Sequence, residues 1–386
     1  MSSEPDALNE RFVFGKGASQ PALVLCLLSG LGLGLFLPPI PTLERTLHPI
    51  LIFLSGALGF FFGVKMELRI LRKLSRVFET CTGLRTTETL LATALPLYFV
   101  LGIWGGADPG MDLLRVSAVL GIVASVTMSP TISLLSMRTE RKWEACRVVA
   151  TMALFGNVVA FLFLGLLLML RRGEAISLPG VEIEGAAGRL LVALICGGLV
   201  GCLADFANSK ERFLHERIYL VVGVLLIGAG AAAALGFPPV FVGMIAGMWL
   251  INGTTRRIDV LEVVDRIRGI AEGTFLVLMG AALPVASLLR SKDGLIALGM
   301  GVLLFALRFF GKTVGTGMGA RMFTKLPTAR RNGLGLTFLP QGGIALAVAY
   351  GQGLSEVMVG GILISVLLAL FAAPYGWRHV FRETET

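Results

Sequence analysis

Apolar residues in this chain neither alternate with polar ones nor gather on one face of a helix; they come in long runs. Uninterrupted apolar stretches of roughly 20 residues, the length a helix needs to cross about 30 Å of hydrocarbon, recur from end to end. Only helices and closed barrels satisfy their backbone groups inside lipid, and these runs lack the two-residue alternation of barrel strands. The pattern predicts an all-α membrane protein of about twelve spans, at 19–37, 47–63, 86–104, 114–137, 148–170, 188–205, 218–235, 239–251, 273–289, 295–311, 333–350 and 354–373. The second, eighth and ninth of these are short.

Composition points the same way. The chain is 55% hydrophobic and only 15% charged, too little charge to disperse a soluble domain. Its 49 glycines are nearly twice ordinary usage, and small residues let membrane helices approach closely. Gly30, Gly32 and Gly34, or Gly223, Gly228 and Gly230, suit such packing. Cys26, Cys196 and Cys202 fall in apolar runs, Cys81 and Cys146 in basic stretches, and no Cys-x-x-Cys pair occurs. His48, His215 and His379 sit far apart at span ends. No metal site and no cofactor is therefore expected. The first 18 residues are polar and carry no small-residue cleavage site after a short apolar core, so no removable signal peptide is expected.

Charge gives the orientation. Most of the 34 lysines and arginines fall in alternate connections, beginning with Lys65, Arg69, Arg72, Lys73, Arg76 and Arg85, then Arg138, Arg141, Lys142 and Arg147. The last such loop holds Lys312, Arg321, Lys325, Arg330 and Arg331, whereas the opposite loops hold few, among them Arg45, Arg115, Arg171 and Arg290. The rich side is cytoplasmic, which places both termini there, in a bacterial inner membrane. The net charge of +9 thus follows from topology, and nucleic acid is not an expected partner.

Polar groups at mid-membrane are costly and are candidates for function by default. The fourth span centres on Ser125, Thr127, Ser129, Pro130, Thr131 and Ser133. Pro130 cannot donate an amide hydrogen, and Ser129 could cap a second half-helix that begins with it; a simple proline kink is the plainer alternative. The eleventh span is interrupted by Pro340, Gln341, Gly342 and Gly343. The eleventh span is seven steps along from the fourth, an odd number, so the two interrupted helices run in opposite directions. Paired interruptions in inverted halves point to a secondary transporter's site. Asn157 in the fifth span could ligate a dehydrated cation or bond a neighbouring helix. Arg308 in the tenth needs carboxylates, carbonyls or water, with Lys312 one turn nearer the cytoplasm. The acids in range are Glu88, Asp205 and Glu272; Glu88 lies at about the depth of Lys312, and an ion pair between them is one reading.

The stretch RFFGKTVGTGMGARMFTKLPTARRNGLGLTFLPQGGIALAVA resembles the monovalent cation/proton antiporter superfamily, in its Kef-type and sodium/proton branches, through an Arg-x-x-Gly-Lys, a Gly-rich connector and a Pro-Gln-x-Gly-x-Ala pattern. LSGALGFFFGVKMEL, VASVTMSPTISLL, PVFVGMIAGMWL and EGTFLVLMGAAL resemble further segments of that family, so the likeness covers almost the whole chain. It implies two inverted repeats with two discontinuous crossing helices: a cytoplasmic segment at 1–18, a transporter domain at 19–375 and a cytoplasmic tail at 376–386. Within the domain the first repeat covers about 19–170, linker helices about 188–235 and the second repeat about 239–375. The resemblance also implies a homodimer, with monovalent cations and protons as the ligands and Thr127, Ser129, Pro130, Asn157, Arg308, Pro340 and Gln341 lining the path. A separate regulatory protein is a further candidate partner.

One departure matters. Where the family usually carries a titrating aspartate in the fifth span, this chain has Gly156 and Asn157, and asparagine cannot titrate. Three readings follow. The chain exchanges Na⁺ or K⁺ for protons with Glu88, Glu272 or Lys312 as displaced proton carrier or ion-pair partner. Or it keeps the fold without exchange, as a channel-like conduit, sensor or scaffold. Or Arg308 and exposed half-helix amides attract an anion. No His-Glu-x-x-His, Gly-x-Ser-x-Gly or mid-span histidine occurs, so an enzyme is not expected.

Overall fold

The structure, a computed structural model, describes residues 20–36, 41–71, 76–104, 110–127, 140–169, 176–178, 181–183, 185–210, 213–323 and 335–382. Its first half runs α1 (Gln20–Phe36), α2 (Pro41–Val64), a single turn α3 (Leu68–Leu71), α4 (Arg76–Trp104), α5 (Met111–Ser125) and α6 (Glu140–Met169). A small antiparallel hairpin follows, β1 (Ile176–Leu178) on β2 (Val181–Ile183), with Ile176 opposite Ile183. It is the one non-helical element among the described residues. Then come α7 (Ala186–Lys210), α8 (Leu214–Ala234), α9 (Pro239–Gly253), α10 (Arg257–Ala282), the short α11 (Val285–Arg290), α12 (Lys292–Phe323), α13 (Gly343–Tyr350) and α14 (Glu356–Arg382).

Among the described residues six helices, α2, α4, α6, α7, α8 and α12, are long and apolar enough to cross a membrane, and α1, α9 and α14 carry shorter apolar segments. Every predicted span overlaps a helix among the described residues; the fourth beyond 127 and the eleventh before 335 lie outside them. Several helices outrun their predictions at the basic end: α4 starts at Arg76 and α12 continues to Phe323. The ninth span is the clearest correction, because α10 is a 26-residue helix beginning at Arg257. Its first turns are amphipathic. Val260, Leu261, Val263 and Val264 are buried while Asp259 pairs with Arg217 at 2.8 Å, a pattern that a search for apolar runs passes over.

The helices fall into two groups. In one, α2 lies against α9 and α1 against α10, with α7 and α8 beside them. Glycine makes the α2–α9 approach possible: a Cβ on Gly59 would lie 2.0 Å from the Val240 carbonyl oxygen, and one on Gly243 2.0 Å from that of Gly56. In the other group α12 packs between α4 and α14, and α4 also carries α5 and α6. The eight-residue α13 touches both, meeting α5 and α14 on one side and α2, α9 and α10 on the other.

Candidate functional site: the crossing of two interrupted helices

α5 stops at Ser125, where Val126 turns to extended backbone (φ −60°, ψ 139°). The last four carbonyls of a helix have no partner within it. Here each finds one. The Ile122 carbonyl accepts the Val126 amide at 3.1 Å and the Ser125 hydroxyl at 2.8 Å. The next three are taken by side chains from the far half of the sequence. Gln341 Nε2 donates to the Val123 carbonyl at 2.7 Å, Arg308 Nη1 donates to that of Ala124, and Lys312 Nζ donates to that of Ser125 at 2.5 Å. Two cations therefore sit at the negative end of the α5 dipole.

The second interruption mirrors the first. The chain turns at 337–338 and runs without helix through 339–342 before α13 begins at Gly343. Its bare carbonyls face Arg308, whose Nη2 donates to Phe338 at 3.3 Å, Leu339 at 2.9 Å and Pro340 at 3.4 Å, while Nε also reaches Leu339 at 3.2 Å. One guanidinium thus binds both interruptions. The positive end of α13 meets a carboxylate instead, since the Gly343 amide donates to Glu272 Oε1 at 3.1 Å. Arg268 Nε lies 3.9 Å from the other oxygen of Glu272.

Asn157, on α6, grips the extended segment of the first half. Its Oδ1 accepts the Thr127 amide at 2.8 Å and its Nδ2 donates to the Thr127 carbonyl at 2.7 Å. The Thr127 hydroxyl accepts from Lys312 Nζ at 2.6 Å and donates to the Phe338 carbonyl at 3.3 Å.

The structure therefore gathers Thr127, Asn157, Arg308, Lys312, Pro340 and Gln341 into one buried knot, with Glu272 at its edge. Ser129 and Pro130 lie outside the described residues. The Glu88–Lys312 ion pair does not form: Lys312 is held by Ser125 and Thr127, while Glu88, partly exposed, places Oε2 beside Gly315 of α12. Arg308 uses carbonyls in place of carboxylates.

Arg85 is the residue that sequence reasoning misplaced. Counted there among cytoplasmic loop residues, it lies inside α4, 1% exposed, with Cζ 3.7 Å from the centre of the Phe338 ring. It fits because residue 156 is glycine: a Cβ there would lie 2.7 Å from Arg85 Nη2. A signal was present. Thr82, Thr86, Thr89 and Thr93 recur at helical spacing and make a buried polar stripe on an apolar helix.

Arg85, Arg308 and Lys312 have no carboxylate within 4 Å among the described residues, and no cluster of three or more His, Cys, Asp or Glu side chains is placed to hold a metal there. What the knot offers is oxygen: the Ser125 carbonyl, the Thr127 hydroxyl, the Phe338 carbonyl, and Gln341 Oε1, which is buried without a partner. Hard oxygens of this kind suit an alkali cation or an ammonium.

A sodium proton antiporter, MjNhaP1 from Methanocaldococcus jannaschii at pH 8, superposes with a TM-score of 0.60 over 93% of this chain and 92% of its own, at 17% identity. An electron-microscopy structure of the same antiporter gives 0.56 over 93% and 89%. These likenesses establish the fold. Cation/H(+) antiporter 18 of Arabidopsis thaliana is 24% identical over 328 residues, which is 82% of this chain; the match spans 39% of that relative's length. The model of the transmembrane sodium/hydrogen exchanger family matches residues 11–380. With two interrupted helices crossing at a buried, oxygen-lined knot, and with that match over nearly its whole length, the chain belongs to the sodium/hydrogen exchanger family of membrane proteins.

Proposed function

We propose that the chain exchanges a monovalent cation, Na⁺ or K⁺, for protons by alternating access, and that Lys312 carries the proton. The observation behind this reading is the seat of the Lys312 ammonium, 2.5 Å from the Ser125 carbonyl oxygen and 2.6 Å from the Thr127 hydroxyl, with no carboxylate among the described residues within 4 Å. An ammonium and a dehydrated alkali cation carry the same charge and take the same oxygens, so each excludes the other. Lysine can release its proton and arginine cannot, which separates Lys312 from Arg308, the fixed brace between the two interruptions. Loss of the proton clears the oxygens for a cation, and departure of the cation restores the ammonium. The charge of the site is unchanged by the swap, so exchange is one for one. The charge asymmetry of the loops supports a bacterial inner membrane with cytoplasmic termini.

A second reading, an exchanger scaffold that acts as conduit, sensor or docking platform, draws support from Asn157. Both arms of its amide are bound to the Thr127 backbone, and the one carboxylate described at the edge of the crossing, Glu272, is engaged by the Gly343 amide.

Proteoliposomes with a preset pH gradient distinguish the two. Addition of Na⁺ or K⁺ is expected to drive proton flux in the wild type. Lys312→Arg, which keeps the charge but not the exchangeable proton, is expected to lower it at least tenfold while the protein still folds. A silent wild type sinks the exchange reading in favour of the scaffold. A fully active Lys312→Arg removes Lys312 as carrier.

A further inference from the structure

We propose that Arg85, with the hydroxyls of Thr82 and Thr316, binds a small monovalent inorganic anion such as chloride, beside the crossing but distinct from its oxygen-lined seat. The inference concerns a second ligand and does not depend on the exchange reading.

Three cations are buried close together here: Arg308 lies near enough to Arg85 to feel its charge, and Lys312 feels both. Two of them are provided for. Arg308 donates to four backbone carbonyls and Lys312 to a carbonyl and a hydroxyl. Arg85 is not. Among the described residues its one hydrogen bond is a long one, from Nη2 to the Met152 carbonyl at 3.4 Å, and Nε and Nη1 are buried with no acceptor there. The Phe338 ring shields one face of the guanidinium but takes none of its N–H groups.

Two other polar groups, on the helices that carry and flank Arg85, are equally unanswered. The hydroxyls of Thr82, one turn earlier on α4, and Thr316, on α12, are buried and unbonded. Thr316 follows Gly315, where a Cβ would lie 3.3 Å from Arg85 Cα. The other threonines of the α4 stripe already donate to carbonyls one turn back, Thr86 to Thr82, Thr89 to Arg85 and Thr93 to Thr89. Along the stripe the unsatisfied groups are therefore Thr82 and Arg85, whose side chains both lie against Gly156.

Water would satisfy the N–H and O–H groups yet leave the charge unbalanced, and a desolvated cation with no counter-charge is the expensive case. Glu88, the acid next along the helix, is partly exposed and turned toward Gly315. An anion answers both needs, since the free guanidinium N–H groups can only donate and the two hydroxyls can turn their O–H toward it. Its charge should be single: sulfate or phosphate would bring several acceptor oxygens that three side chains cannot cover. By offsetting one of the buried positive charges, a bound anion would also ease entry of a cation at the crossing.

Full-length protein in detergent is unfolded thermally in chloride-free gluconate buffer while choline chloride is titrated in. The expected result is a saturable rise in the unfolding midpoint that choline gluconate does not reproduce, as for any ligand that binds only the folded state. Arg85→Met should abolish the rise. Because that variant may fold poorly, Thr316→Val serves beside it, and is expected to shift half-saturation several-fold upward. Bromide soaked in place of chloride should give an anomalous diffraction peak at the Arg85 guanidinium. A wild type indifferent to chloride overturns the proposal, as does a chloride effect unchanged in both variants. Silent proton flux with the chloride effect intact would reject the exchange reading and leave this one standing.

Discussion

Both arms of the Asn157 amide are committed to the backbone of Thr127, and that decides what an acid would do there. Aspartate keeps an acceptor for the Thr127 amide but turns a second oxygen on the Thr127 carbonyl, where Asn157 now donates at 2.7 Å. We predict that Asn157→Asp destabilises the protein by about 1–3 kcal/mol, the usual cost of a buried group left without its partner, and fails to raise proton flux. A lower thermal midpoint with unchanged or reduced flux supports this; a gain of flux would show Asn157 to be a replaced ion ligand. Lys65, just past the end of α2, gives a pH prediction. Its pKa is lowered to about 7 by burial first and by Arg268 second, against the opposing pull of Asp265 and Glu272. Below pH 7 the folded protein holds a buried charge that the unfolded chain holds in water, so Lys65 costs stability there. As pH rises from 7 toward 10.5 the folded state has shed that proton while the unfolded state keeps it, and the cost fades. Lys65→Met should therefore raise the thermal midpoint most at pH 6 and progressively less by pH 9; a gain independent of pH would contradict the assignment.

At the scale of elements, the crossing holds together because each loose end of a half-helix finds a group of opposite sign. α5 ends on Gln341, Arg308 and Lys312, and α13 begins on Glu272. A graded test follows for α13. Glu272→Gln retains an acceptor for the Gly343 amide and loses the charge, at about 0.3–1 kcal/mol; Glu272→Ala loses both, at about 1–3 kcal/mol. Equal thermal midpoints for the two variants would mean that Glu272 does not cap the half-helix. The interruptions themselves were legible in the sequence, since Pro340 and the glycines beside it cannot continue a helix and a proline follows the end of α5 by five residues. Arg308 and Asn157 were legible as buried polar groups in apolar runs. Their partners were not, because Arg308 binds the Ala124 carbonyl across 184 positions and backbone carbonyls leave no mark in a sequence. Arg85 was misread for a related reason. It stands at the end of a basic run, where the topology rule places residues in water, and only Gly156 and Phe338, brought in from elsewhere in the chain, make room for it inside.

Across the whole molecule, the spans followed from run length, their orientation from charge, and the inverted repeats from the paired interruptions and the family resemblance, whereas the division into two helix groups depends on which glycines meet which carbonyls. The group holding the crossing touches the other chiefly through α13, which is hooked at three heights. The Gly343 amide donates to Glu272 at its start, the Ser55 hydroxyl donates to the Ala347 carbonyl in its middle, and His48 Nδ1 meets the Tyr350 hydroxyl at 2.5 Å at its end. Glu272, Ser55 and His48 belong to α10 and α2; the groups they hold belong to α13. If the crossing moves against α2 and α10 to open alternately to each side, these three contacts cannot all persist. His48 and Tyr350 are the pair to test, because neither contributes to the oxygen-lined seat, His48 is exposed and Tyr350 is only half-buried. In a cysteine-free background, His48→Cys with Tyr350→Cys, joined by a short bifunctional thiol reagent, should abolish cation-driven proton flux, and cleavage of the linker should restore it. Each single cysteine treated with the same reagent should keep its flux. Flux that survives the cross-link would mean that α13 and α2 travel together, and the moving boundary would then have to lie elsewhere between the two groups, at contacts such as α6 on α7 or α14 on α1.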